Sequence, residues 1–76
     1  MDLPVIAPSA LRHGVSEETI VHAFNNPSRV EDLEEALTML IGPDSAGNLY
    51  EIGVVSSDDG PVVVHAMSAR SKYLRS

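Results

Sequence analysis

The sequence predicts an α+β fold: a helix in the first third, an antiparallel sheet of three to four strands, and a short C-terminal helix. Three observations carry this. Ile20, Ala23 and Phe24 recur at helical spacing behind a strong cap at Ser16. Leu37, Met39 and Ile41 alternate with their neighbours as a strand requires, and Asn48–Ser56 does the same. Ser57-Asp58-Asp59-Gly60 then separates the last two strand-like runs as a hairpin turn.

Taken in order, Met1–Pro8 is an extended lead-in, with Val5-Ile6 as an edge strand that tolerates Pro4. Ser9–His13 forms a helical turn closed by Gly14. Ser16 then caps a helix over residues 16–25, with Val15 placed to staple against Ile20. Glu17 and Glu18 favour the positive end of the helix dipole, and Asn25-Asn26-Pro27 stops the helix. Arg29–Leu33 reads as a short extended piece with an acidic turn at Glu34-Glu35, a second helix capped by Ser28 being the alternative. Within Asn48–Ser56, Tyr50, Ile52 and Val54 share one face and Leu49, Glu51, Gly53 and Val55 the other. Pro61–Met67 is the last strand, with His65 sharing a face with Val63 and Met67. It leads to Ser68 as the cap of a helix over the following residues.

Seventy-six residues make one small domain spanning 1–76, and a chain of this length buries only about 60% of its unfolded surface. Cysteine is absent, so no disulfide or zinc–thiolate site reinforces it. No apolar run approaches the ~20 residues of a membrane helix, and a cytoplasmic protein is expected. With 11 acidic and 5 basic residues the net charge is -6, which argues against general nucleic-acid binding. The distribution qualifies this. Acidic residues cluster at Glu31–Glu35, whereas Arg70, Lys72 and Arg75 fall in the last seven positions. A local basic site on an acidic body is compatible with that pattern, as is an acidic patch facing a basic partner.

His13, His22 and His65 are too scattered for a metal motif, so neither a metal nor another cofactor is expected. His22 reads as exposed, and His65 as a core histidine bonded to backbone. His13, beside Arg12 and before a glycine turn, is the better candidate for proton transfer, with Arg12 able to hold a phosphate. Glu51 sits mid-strand, where it either pairs with a cation such as Arg70 or Arg12 or serves catalysis from a concave surface. Arg70, Lys72 and Tyr73 form the sharpest cluster. Either the two cations bind phosphate while Tyr73 stacks or moves a proton, or the segment is a basic tail on which Tyr73 packs down.

The His13–Ser16 motif His-Gly-Val-Ser, the strand end Ile41-Gly42, the loop Gly42–Leu49 and the ending His65-Ala66-Met67-Ser68-Ala69-Arg70-Ser71-Lys72-Tyr73 resemble the BrnT family of bacterial type II toxins. The resemblance spans residues 9–74. It implies a fold related to the RelE ribonucleases and a toxin that cleaves RNA and blocks translation. It also implies a cognate antitoxin of the ribbon-helix-helix type, with which the chain would form an oligomer. His13 and Arg70 match family motifs by position, and Lys72 and Tyr73 match the subgroup ending. The expected chemistry is metal-independent RNA cleavage. His13 or Glu51 would act as base, Arg70 and Lys72 as phosphate clamp with Arg12, and Tyr73 or a histidine as proton donor. The competing expectation, which the acidic charge favours, is a non-catalytic partner-binding module with the same fold.

Overall fold

The structure, a computed structural model, describes residues 3–34 and 36–74. Its single α-helix, α1 (Glu17–Asn25), begins where the cap signal places it: the Ser16 hydroxyl accepts the Thr19 N–H at 3.1 Å. Val15 packs against the core cluster to which Ile20 belongs. At the other end, Asn25 and Asn26 turn their side-chain amides back onto the Val21 and His22 carbonyls. The second of these bonds serves a carbonyl of the last turn, which a helix end leaves unpaired.

The strands are β1 (Val5–Ile6), β2 (Arg29–Glu34), β3 (Leu37–Pro43), β4 (Leu49–Ser57) and β5 (Gly60–Ser68). They form one sheet in the order β1-β5-β4-β3-β2. The class is α+β as predicted, but the sheet is five-stranded and mixed. β2 to β5 make an antiparallel meander, and β1 adds parallel to β5 through Val5↔Val62 and Ile6↔Val63. Arg29–Leu33 is extended as expected, but Glu34, expected in the turn, continues the strand and pairs with Leu37. The β2–β3 connection carries Ala36 at φ 66°, while Glu35 of the expected acidic turn lies outside the described residues.

Two further boundaries differ from expectation. The turn after the lead-in is a 3-10 helix at Pro8–Leu11, followed by Gly14 at φ 77° with its N–H on the Leu11 carbonyl. Ser68 does not cap a helix. It still pairs with Tyr50, and the Ala69 N–H bonds to the Leu49 carbonyl, so the chain stays extended until Arg70. Only a 3-10 helix at Ser71–Tyr73 follows.

Both sheet faces are covered, unequally. Ala10, Ile20, Ala23, Ile52, Val63 and Ala66 form the core between the sheet, α1 and the Pro8–Leu11 turn, with Tyr50 and Val54 against it. Burying each isoleucine there contributes about 1.5–3 kcal/mol. α1 lies close enough that a Cβ on Gly42 of β3 would collide with the Ala23 carbonyl oxygen. On the opposite face Met39 and Ile41 pack beneath Tyr73 from the C-terminal 3-10 helix. Among the described residues no helix is long and apolar enough to cross a membrane.

Candidate functional site

β4 alternates as the sequence requires, so with Ile52 in the helix-side core, Glu51 and Gly53 face the other way. Ile41 pairs with Glu51 and Met39 with Gly53 across β3. Glu51 is thus a carboxylate with no exposed surface, flanked by apolar side chains. A buried carboxylate is tolerable only with ample hydrogen bonding, and Glu51 has it. Its Oε1 accepts the Arg70 backbone N–H at 2.9 Å and Arg70 Nε–H at 3.0 Å. Its Oε2 accepts from Arg70 Nη2 and from His65 Nε2, each at 2.8 Å. Burial alone would raise the Glu51 pKa. The Arg70 side chain and N–H, then His65, outweigh that and hold it below the ordinary carboxylate range. Reciprocally, Glu51 holds the Arg70 guanidinium above its ordinary value. The sequence left Glu51 with Arg70 or Arg12 as its cation; Arg70 is the partner.

His65 departs from expectation in two ways. It is not a core histidine bonded to backbone, since its partner is the Glu51 carboxylate and its side chain is 29% exposed. Nor does it share a face with Val63. The β4–β5 register shifts between Gly53↔His65 and Val54↔Val63, leaving Val64 as an extra residue on β5. This bulge sends Val63 into the helix-side core and His65 to the side of Glu51. The bond fixes the tautomer: an ionised carboxylate can only accept, so Nε2 carries the proton and Nδ1 is the lone-pair atom of the neutral ring.

His13 arrives from far away in sequence. β1 pairs only with Val62 and Val63, so β5 beyond them is lined by the Pro8–Leu11 turn instead of a strand. The Ala7 N–H bonds to the Val63 carbonyl at 2.8 Å and the Ser9 hydroxyl to the Val64 carbonyl at 2.7 Å. The following residues bring the His13 ring edge-on to His65, with centroids 5.7 Å apart. Arg12, next in the chain, is exposed.

Tyr73 packs down: it is buried over Met39 and Ile41, and its carbonyl accepts from Arg29 Nη1 at 3.3 Å. Arg70 and Lys72 sit over its ring at 5.7 and 5.0 Å from the centroid, within cation–π range. The Arg70 side chain is 48% exposed, so one side of the guanidinium holds Glu51 while the other faces solvent.

The structure therefore brings His13, Glu51, Arg70, Lys72 and Tyr73 into one contiguous group and adds His65, which sequence reasoning had placed in the core. A carboxylate orienting an imidazole, a second imidazole beside it and a half-exposed arginine can move protons and hold an anion. The same reasoning underrated His22. It is half-buried, with Nδ1 2.7 Å from the Pro43 carbonyl, and joins α1 to the end of β3. A concavity of about 340 Å³ lined by Glu17, Glu18, Val21, His22, Asn25 and Asn26 lies on α1 and shares no residue with the Glu51 group. No group of three or more metal-ligating side chains occurs among the described residues. Comparison with family models, curated proteins and solved structures found no match for this chain.

Proposed function

We propose that this chain is a BrnT-like toxin of a type II toxin–antitoxin pair that cleaves RNA in the cytoplasm without a metal, and that a ribbon-helix-helix antitoxin neutralises it. The observation that carries the reading is the imidazole pair His13–His65 held beside Arg70 by the buried Glu51. In the proposed reaction the 2′-oxygen attacks the adjacent phosphorus and the bond from phosphorus to the 5′-oxygen breaks. A 2′,3′-cyclic phosphate and a 5′-hydroxyl result. His65 Nδ1 accepts the 2′-hydroxyl proton, because Glu51 fixes that tautomer and stabilises the imidazolium that forms. His13 delivers a proton to the leaving oxygen. The solvent side of Arg70, with Arg12 and Lys72, balances charge on the phosphate. In this scheme Glu51 is an anchor, both oxygens being taken, and the buried Tyr73 supports Arg70 and Lys72 from below.

The net charge of -6 favours a second reading, a partner-binding module without nuclease activity. Induction in a bacterial host, with growth and RNA integrity followed, separates the two. The first reading expects arrest with RNA cleavage, both lost in Arg70→Ala and in His13→Ala. The latter removes an exposed ring that makes no hydrogen bond among the described residues, so the fold should survive it. Intact RNA and normal growth with a soluble, folded protein would sink the nuclease reading and leave the binding module.

A further inference from the structure

Gly53 occupies the middle of β4, where a glycine normally weakens a strand. Its backbone does not require one: the glycines at positive φ are Gly14, Gly47 and Gly60. What Gly53 supplies is room. A Cβ at this position would stand 3.0 Å from the His65 Cβ, 3.7 Å from its Cγ and 3.8 Å from its Cδ2. Directly opposed residues in antiparallel strands ordinarily keep their Cβ atoms about 4.5–5.5 Å apart. The bulge at Val64 thus presses His65 closer to β4 than an ordinary pair allows, and its ring leans across position 53 to reach Glu51 two residues away. The atom in closest conflict is the His65 Cβ, which cannot move without its strand.

We propose that Gly53 is a positioning residue for the His65–Glu51 pair: its missing Cβ is the space that lets the His65 Cβ stand close enough to β4 for the imidazole to reach the buried carboxylate. The inference deepens the ribonuclease reading and rests on it for its catalytic meaning, but the geometry has a readout of its own. With a Cβ at position 53 it is the His65 Cβ that must give way, by moving β5 outward or by turning the side chain about its backbone, since the ring atoms themselves stand at ordinary contact distance. Either change releases Nε2–H, and the lone-pair nitrogen is no longer specified.

The test uses the full chain and its Gly53→Ala variant, with nitrogen-15 NMR of the His65 ring at neutral pH. In the parent protein the Nε2–H held by Glu51 should exchange slowly with water, and the ring should show that single tautomer. In Gly53→Ala, with an otherwise native amide spectrum, that proton should become fast-exchanging and the tautomers mixed. RNA cleavage should fall about a hundredfold in kcat with KM little changed. Retention of the slow Nε2–H and single tautomer in Gly53→Ala overturns the proposal. If Gly53→Ala does not fold, the pair His65→Gly and Gly53→Ala/His65→Gly decides. Removal of the opposing Cβ should make the alanine harmless, and a double variant that unfolds where His65→Gly is folded overturns it. A parent protein that shows the ring signature yet leaves RNA intact defeats the ribonuclease reading while the positioning role stands.

Discussion

Replacing Glu51 by glutamine keeps shape and removes charge, which makes it the sharpest probe of the group. Glutamine can still accept the Arg70 backbone N–H through its carbonyl oxygen. Its amide nitrogen, however, must face Arg70 Nη2, donor against donor, and can bond to His65 Nε2 only if the imidazole takes its other tautomer. Breaking a buried ion pair from one side costs about 3–5 kcal/mol. That range holds where the charge left behind is itself buried; the Arg70 side chain is 48% exposed and one bond is retained, so the cost here is about 2 kcal/mol. A chain of this size is stable by about 4–11 kcal/mol in total, so the loss is large but need not unfold it. Urea unfolding followed by far-UV circular dichroism should show the midpoint falling by about 1–2 M at unchanged slope. The pH dependence carries a sign. The folded pKa of Glu51 lies below its ordinary value of 4.5, so its contribution is full above that value and drains away as pH falls through the folded pKa. The gap between parent and variant should therefore be widest near neutrality and close in acid. A gap under about 1 kcal/mol at neutral pH, or one unchanged down to about pH 3, would refute the account of Glu51 as a buried anion stabilised by its donors.

Two predictions concern the scaffold. Gly42→Ala drives a Cβ into the Ala23 carbonyl oxygen and should cost about 1–3 kcal/mol, as overpacking does, by lifting α1 from β3. An unchanged thermal midpoint would show that the helix rides farther from the sheet than described. Ser16→Ala removes the acceptor for the Thr19 N–H and should cost about 1 kcal/mol in chemical denaturation, with Ser16→Asp restoring it. Equal stability of all three proteins would rule out the cap.

Much of the frame was readable from local chemistry. α1 carries its own start and stop in Ser16 and Asn25-Asn26-Pro27, and β4 sorts its faces by simple alternation. The site was legible in part. An acid in mid-strand demands a cation, and Arg70 stands at the right end of the chain, so the pair could be foreseen as one of two choices. His65 was misread because alternation assumes an unbroken strand. Val62-Val63-Val64 gives no sign that Val64 is an extra residue, and a slip of one reverses the face of everything beside it. The only hint was Gly53 itself, a glycine inside a strand, which is a known mark of a bulge or close approach. The C-terminal helix failed for a related reason: Ser68 is a good cap by type, but long-range pairing with Tyr50 outweighs local preference.

The two-residue strand β1 has a consequence for timing. His65, Glu51 and Arg70 are joined by β4, β5 and the segment just beyond, with backbone pairing along nine-residue strands. His13 itself is exposed, held by the two-residue pairing of β1, bonds at Ala7 and Ser9 to residues more than fifty positions away, and the core packing of Ala10 and Val15 on either side of it. Small, locally closed units detach at far lower cost than whole sheets. The N-terminal seam is therefore expected to open more often than the paired strands that carry the first imidazole. Amides at the N-terminal attachment should exchange with solvent through brief local release, while those of central β4 wait for global unfolding. The contact between His13 and the triad would then be interrupted as often as the weakest seam of the sheet opens.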